Sequence, residues 1–192
     1  MRRIGIDLDG VLANFNEGFA RILEGVTGQP ITLPKEGPEI WDWPVLFAPP
    51  EHVNEAWSRL KHYDLFWRSL NAMADPDIDD AFKLLEGAAC DGDDLYFITS
   101  RVGRMVQYQS ADWIKFYTGI CYPSVLVCHR KPIAAIALEL DAMIDDFPPN
   151  LALFDGTQTK CYLVNRPWNA GAEGRFERVN SCAEALQRIF DE

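Results

Sequence analysis

The chain has 192 residues, of which 48% are hydrophobic and 24% are charged, and its 29 acidic and 18 basic side chains give a formal net charge of −11 at pH 7. This length accommodates one large domain, or a core domain with a small insertion, and buries enough apolar surface to fold without disulfides or a structural metal. The acidity argues against general binding to nucleic acids or to an anionic membrane, because both require clustered positive charge.

The cysteines and the first residues bear on the cellular compartment. Five cysteines are scattered along the chain without a CxxC pair, which favours buried thiols in a reducing compartment over a zinc site or a disulfide framework. Charged residues precede any apolar stretch of signal-peptide length, and no run approaches the roughly 20 apolar residues that span a bilayer. We therefore expect a cytoplasmic protein without membrane contact.

Short β-rich segments alternate with helical patterns along the chain. The predicted strands are Arg3–Leu8, Leu95–Thr99, Ser124–Val127 and Ala142–Asp145, with weaker candidates at Leu151–Phe154 and Cys161–Val164. The predicted helices are Phe15–Leu23, Asp77–Leu85, Met105–Tyr117 and a last helix that begins at a capping box of Ser181 and Glu184. Several strands are continuous apolar runs, as in parallel sheets buried on both faces. The alternation predicts an α/β fold with a doubly wound, Rossmann-like parallel sheet.

Residues 28–74 break this alternation. They contain six of the twelve prolines and four of the six tryptophans, and only Glu51–Lys61 has a clear helical pattern. We predict that residues 28–74 form a small, mainly helical cap. This cap is inserted after the first strand and helix of a core domain formed by residues 1–27 and 75–192.

Polar residues stand at the ends of the predicted strands. Asp7 and Asp9 are two residues apart, so on an extended chain their carboxylates point to the same side. The corresponding residues at the other strand ends are Thr99 and Ser100, Lys131, and the pair Asp145 and Asp146. Open α/β sheets bind ligands at this edge. Carboxylates crowded together there require a cation, and an oxygen-only set favours Mg²⁺, while hydroxyl and ammonium groups suit the oxygens of a phosphoryl group.

These strand-end residues carry a resemblance to a known family. Asp-Leu-Asp-Gly-Val at residues 7–11, Ile-Thr-Ser at 98–100, Lys131 and Ile-Asp-Asp at 144–146 resemble, in order and placement, the four motifs of the haloacid dehalogenase (HAD) superfamily of phosphatases. Within it, the chain is most similar to the 5′(3′)-deoxyribonucleotidases, through DLDGVLANF at 7–15, LYFITS at 95–100, DLFWRSL at 64–70 and the position of the cap. It departs from that family at Arg101, His129 and Phe147.

The resemblance implies a Mg²⁺-dependent hydrolysis of nucleoside monophosphates, with deoxyribonucleotides favoured. It makes Asp7 the nucleophile that forms an aspartyl-phosphate, and Asp9 the acid and base that serves the leaving oxygen and the attacking water. It implies metal ligation by Asp7, by the main-chain carbonyl of Asp9 and by Asp145, with Asp146 in a supporting position. The residues implied in phosphate binding are Thr99, Ser100 and Lys131, and those implied in stacking on the base are Phe15 and Trp41.

Two other functions are open at this point. The first is a phosphatase for another small phosphomonoester, such as a sugar phosphate or a 3′-phosphate. The second is a catalytically silent nucleotide-binding module, against which the joint presence of Asp7, Asp9, Lys131 and Asp145 argues. The aromatic residues of the cap have an alternative role as its hydrophobic core, and we assign Trp43, Phe66 and Trp67 to packing. The partner we expect is a small-molecule nucleotide.

Overall fold

The computed structural model describes residues 1–154 and 156–191, and a six-stranded parallel sheet forms its centre. The strands are β1 (Arg3–Ile6), β2 (Asp94–Thr99), β3 (Ser124–Val127), β4 (Ala142–Asp145), β5 (Lys160–Val164) and β6 (Glu177–Val179). Their spatial order is β3-β2-β1-β4-β5-β6. The order reverses direction at β1, which is where ligands bind in doubly wound sheets. The predicted fold class is confirmed.

Seven α-helices connect or flank the strands within the described residues. They are α1 (Phe15–Thr27), α2 (Pro50–His62), α3 (Ile78–Cys90), α4 (Val106–Thr118), α5 (Lys131–Ala137), α6 (Pro148–Ala152) and α7 (Cys182–Phe190). Ser181 caps α7 as predicted, because its side chain accepts from the Glu184 N–H, but the capping box is incomplete: the Glu184 carboxylate accepts from the Asn180 N–H rather than from that of Ser181. Among the described residues, no helix is long and apolar enough to cross a membrane.

Both faces of the sheet are buried, as the continuous apolar strands predict. Ile144 packs in a cluster with residues of α3 and α7, whereas the neighbouring Met143 packs in a second cluster with residues of α5 and α6. Adjacent strand residues point to opposite faces, so each face needs its own apolar partner layer. This packing fixes the strand ends relative to one another.

The prediction of a strand at Leu151–Phe154 is wrong. Two prolines at the start of α6 favour a helical turn, because their fixed φ suits its first positions. Leu151 and Phe154 are buried while Leu153 is 65% exposed, which is the three-residue spacing of a helical turn rather than the alternation of a strand. The structure also contains β6, which the sequence reading missed because only Val179 of its three residues is buried.

Between α1 and α3 the chain forms α2 and two 3₁₀ helices, Trp43–Leu46 and Trp67–Ser69. Trp43 is 2% exposed, and its indole N–H donates to Asn16 Oδ1 of α1 at 2.9 Å. Trp57 of α2 packs on Phe19 of α1 with ring centroids 4.7 Å apart. The segment is therefore held on α1 by aromatic packing, directly beside the loop that follows β1.

The loop after β1 turns sharply at Gly10. Its φ of 81° lies in the left-handed region that side chains rarely adopt. A Cβ at this position would run into the Asp146 carboxylate. The Gly10 carbonyl also accepts from the buried Arg166 Nε at 2.7 Å, and that guanidinium forms a two-pronged ion pair with Asp75. Gly10 is thus required by both the turn and the close approach of Asp146.

We expect Gly10→Ala to lower the free energy of unfolding by at least about 1–2 kcal/mol, since a side chain strains the left-handed backbone and displaces Asp146. Gly87→Ala in α3 is the matched control, because an added Cβ there meets no atom within 4 Å. It should raise the free energy of unfolding by about 0.4–1 kcal/mol. Urea denaturation measures both variants, and wild-type stability in Gly10→Ala would contradict this account of the loop.

Candidate active site

The predicted strand-end residues converge at one edge of the sheet. Asp7 follows β1, Thr99 ends β2, Asp145 ends β4, and Lys131 begins α5 after β3. Because β1 lies between β2 and β4, parallel pairing brings these ends side by side. Asp7 is 6% exposed and Lys131 is 2% exposed, whereas Thr99 and Asp145 are fully buried. The topology thus concentrates charged groups in a largely buried site.

Lys131 is the cation at the centre of this site. Its Nζ lies 2.6 Å from Asp7 Oδ2 and 2.9 Å from Asp145 Oδ2. Burial by itself lowers the pKa of Lys131, but attraction by Asp145 and Asp7 outweighs burial and raises it above its ordinary value. Lys131 therefore stays charged and joins the two strand ends.

Three carboxylates surround this single ammonium group. Oxygens of Asp7, Asp145 and Asp146 all lie within 4.8 Å of one another. Burial raises the pKa of Asp7 to about 7, with Lys131 opposing the shift and Asp145 and Asp9 adding to it. Burial, together with the charges of Asp145 and Asp7, holds the pKa of Asp146 well above its usual range. The three carboxylates outnumber the one ammonium group in contact with them, so ionising all three at once is unfavourable without a further cation.

Asp145 and Asp146 differ in how their oxygens are used. Asp145 Oδ2 accepts from Lys131 and from Asn150 Nδ2, while its Oδ1 accepts from the Phe147 N–H at 2.8 Å. Asp146 Oδ2 accepts from Trp168 Nε1 at 2.9 Å, but its buried Oδ1 has no hydrogen-bond partner among the described residues. A buried carboxylate oxygen without a partner is costly unless a cation contacts it.

The Asp9 side chain lies outside this cluster and pairs with Arg101 instead. Arg101 Nε lies 3.1 and 3.0 Å from the two Asp9 oxygens, and Nη2 lies 2.8 Å from Oδ1. The Arg101 side chain is fully buried, and that of Asp9 is 23% exposed. In the sequence, Arg101 is distinguished only as a departure from the family pattern, and no local signal predicts its pairing with Asp9.

The hydroxyl groups at the end of β2 have separate partners. Thr99 Oγ1 accepts from the Arg101 N–H at 3.3 Å, and Ser100 Oγ donates to the Cys128 carbonyl at 3.1 Å. Ser100 also lines the site cavity beside Asp7 and Lys131. Both hydroxyls therefore lie at the edge where the charged residues meet.

Aromatic side chains enclose a cavity of about 380 Å³ above the charged groups. On one side Phe15 stacks with Trp57 and Trp67, at centroid distances of 5.7 and 5.8 Å. On the other side Trp41 packs on Phe147 with centroids 4.3 Å apart. Phe15 and Trp41 were predicted to face a substrate, and both line this cavity, whereas the part played by Phe147 was missed. A small apolar cavity with charged groups at its base is typical of a ligand site.

Solved structures share this fold. A HAD family hydrolase from Deinococcus radiodurans R1, with bound phosphate and sodium, aligns over 100% of this chain and 96% of its own, with 16% identity and a TM-score of 0.61. A D,D-heptose 1,7-bisphosphate phosphatase from Burkholderia thailandensis aligns over 100% of both chains, with 8% identity and a TM-score of 0.57. Such low identities establish the fold alone. A search of curated proteins found no match to the sequence.

A family model matches nearly the whole chain. It covers residues 1–191, so it includes every residue of the strand-end site and both aromatic walls of the cavity. The resemblance read from the four motifs is confirmed by this match. The chain therefore belongs to the family described as 5′ nucleotidase, deoxy (Pyrimidine), cytosolic type C protein, and it is a phosphatase of the 5′-nucleotidase type.

Proposed function

We propose that this enzyme hydrolyses nucleoside monophosphates in the cytoplasm, with deoxyribonucleotides favoured, through an aspartyl-phosphate intermediate and with Mg²⁺. One observation carries the proposal: Asp7 lies 2.6 Å from Lys131 at the base of a cavity with aromatic walls. The charged groups at the bottom of the cavity suit a phosphate group, and the aromatic walls suit a planar nucleobase. The family description adds support for deoxy and pyrimidine substrates.

Asp7 is the nucleophile in this proposal. Its carboxylate attacks phosphorus, forms a new oxygen–phosphorus bond and displaces the ester oxygen, which divides the hydrolysis into two easier steps. Attack requires the ionised form, and the contact with Lys131 favours that form against the effect of burial. Lys131, Thr99 and Ser100 bind the transferring oxygens and neutralise charge as it develops.

Asp9 carries the proton. It donates to the ester oxygen as that oxygen leaves, and it then accepts a proton from the water that hydrolyses the aspartyl-phosphate. Its partial exposure at the cavity supports this role, because the group must reach both a substrate and a water molecule.

The cluster of Asp7, Asp145 and Asp146 fits a divalent cation. The unpartnered Oδ1 of Asp146 and the excess of carboxylates over ammonium groups support this fit, and an all-oxygen donor set favours Mg²⁺. The proposed ligands are Asp7, Asp145 and the Asp9 main-chain carbonyl, as the resemblance implies, and the unpartnered Oδ1 adds Asp146, which was expected only in a supporting position. When bound, Mg²⁺ would neutralise charge on the phosphoryl oxygens.

The two aromatic walls provide the specificity for a nucleotide. Phe15 belongs to a packed stack with Trp57 and Trp67, whereas Trp41 is 54% exposed and lies against Phe147 and Trp168. Stacking on ring faces distinguishes bases weakly, so several monophosphates should be accepted.

We expect Asp7→Asn to lower turnover of a deoxynucleoside monophosphate by several orders of magnitude, because the amide lacks nucleophilic charge. Folding should persist, since the substitution preserves shape and relieves a buried charge. Asp91→Asn, at the exposed end of α3, is the matched control and should retain wild-type activity. Steady-state kinetics and circular dichroism test both variants. Retention of a tenth of wild-type turnover by Asp7→Asn would exclude Asp7 as the nucleophile.

We expect Trp41→Ala to raise KM for nucleotides by roughly 5- to 150-fold, which corresponds to the loss of about 1–3 kcal/mol of stacking. Hydrolysis of a phosphate ester without a base, such as glycerol phosphate, should change little. Leu46→Ala removes a 68%-exposed apolar side chain of the same segment away from the cavity, and it should alter neither substrate. If Trp41→Ala impairs both substrates equally, Trp41 acts in packing rather than in base binding. A wild-type preference for sugar phosphates over every nucleotide would overturn the proposed substrate.

A further inference from the structure

The Arg101 side chain is held by contacts with Ser110, Trp67 and Asp9. Its Nη1 donates to Ser110 Oγ of α4 at 2.9 Å, and its guanidinium carbon lies 4.8 Å from the centre of the Trp67 ring. Its backbone N–H donates to Thr99 Oγ1. A buried guanidinium with planar, fixed donors is more rigid than a lysine ammonium would be. The remaining donors, Nε and Nη2, point at Asp9.

This orientation determines where the Asp9 carboxylate lies. Asp9 is two residues from Asp7; of the other buried cations beside this loop, Arg166 pairs with Asp75, and Lys131 pairs with Asp7 and Asp145. Without Arg101, attraction by Lys131 would draw the Asp9 carboxylate toward the cluster that already holds Asp7 and Asp145. With Arg101, Asp9 is separate from that cluster and borders the cavity.

The contacts also distinguish the two oxygens of Asp9. Oδ1 accepts from both Nε and Nη2, at 3.1 and 2.8 Å, whereas Oδ2 accepts only from Nε, at 3.0 Å. Oδ2 therefore retains more capacity to carry a proton and to face a ligand.

We propose that Arg101 is the positioning residue for Asp9, which it holds at the cavity edge so that Oδ2 faces the leaving oxygen of the substrate. This inference rests on the proposed function, in which Asp9 supplies the proton. In that step the Asp9 O–H bond breaks and the proton passes to the ester oxygen. That oxygen keeps the electron pair of the broken phosphorus–oxygen bond, while Asp7 forms the new bond to phosphorus. Arg101 also lines the cavity, but its side-chain donors are directed to Asp9 and Ser110, so in this proposal it acts through Asp9 and not on the reacting atoms.

This role makes the effect of Arg101 depend on the leaving group. A nucleoside leaves as an alkoxide and needs a positioned proton donor, whereas p-nitrophenolate leaves readily without one. The ratio kcat/KM reports the steps up to formation of the aspartyl-phosphate, so it isolates departure of the leaving group. Loss of a positioning residue should therefore lower kcat/KM for thymidine 5′-monophosphate far more than kcat/KM for p-nitrophenyl phosphate.

The test compares kcat/KM for these two substrates in Arg101→Ala, Arg101→Lys and Asp9→Asn. General acid catalysis contributes about 10²–10⁴-fold, so Arg101→Ala should lower kcat/KM for the nucleotide by roughly 10²-fold and that for p-nitrophenyl phosphate by less than about 3-fold. Arg101→Lys keeps the charge without the planar fork and should be intermediate. Added guanidinium should partly restore nucleotide hydrolysis in Arg101→Ala.

The matched control is Arg104→Ala, which removes an exposed arginine side chain from the same segment, at a position that does not line the site cavity. It should lower kcat/KM for both substrates only slightly. If Asp9→Asn discriminates between the substrates but Arg101→Ala and Arg101→Lys lower both equally, the positioning role is overturned while the proposed function stands. If Asp9→Asn itself lowers both equally, the proton-transfer role of Asp9 fails and the role of Arg101 fails with it. Arg101→Lys keeps the test decisive if Arg101→Ala does not fold.

Discussion

The site depends on the crowding of three buried carboxylates around one lysine. Asp7, Asp145 and Asp146 lie within 4.8 Å of one another, and Lys131 bridges only the first two. Burial penalises each ionised group, which raises the pKa of Asp7 and of Asp146. Three ionised carboxylates beside a single ammonium group repel one another, so a bound cation would stabilise the folded protein. The same crowding that makes the metal-free site costly makes it suited to a cation and a phosphate.

The parallel sheet produces this crowding and also keeps it in place. Strand order places β1 between β2 and β4, so the residues that follow these strands share one edge. Layers of apolar side chains on both faces prevent the strand ends from separating in response to repulsion. Gly10 and the buried pair of Arg166 and Asp75 then hold the loop after β1 against β4. The free energy of packing elsewhere in the molecule thus offsets the repulsion among the crowded carboxylates.

The sequence predicts the charged edge well, because that edge follows from strand ends. Parallel pairing brings Asp7, Lys131 and Asp145 together whatever the details of the loops, and the motif spacing identifies them. Arg101 is different, since its direction depends on Ser110 and Trp67, which meet it only in the folded chain. The assignment of specific roles to these residues stays a prediction.

Outside the site, too, local sequence patterns do not reveal contacts between segments that are distant in the chain. Leu151–Phe154 contains enough apolar residues for a strand, and only the buried positions reveal a helical turn. The contact of Trp41 with Phe147 joins residues more than a hundred positions apart, and no periodicity connects them. Sequence reading therefore recovers features dictated by the strands and misses those dictated by side-chain contacts between distant segments.

The most direct measurement of the central claim is the melting temperature of the metal-free protein with increasing Mg²⁺. A ligand at 100 times its dissociation constant adds about 2.7 kcal/mol, or several degrees for a chain of this size at roughly 2–4 °C per kcal/mol. We expect Mg²⁺ to raise the melting temperature of the wild type and of Asp91→Asn, but not that of Asp146→Asn. Without metal, Asp146→Asn should melt at a higher temperature than the wild type, because one crowded carboxylate is removed. No rise in the wild type, or an equal rise in Asp146→Asn, would contradict the account.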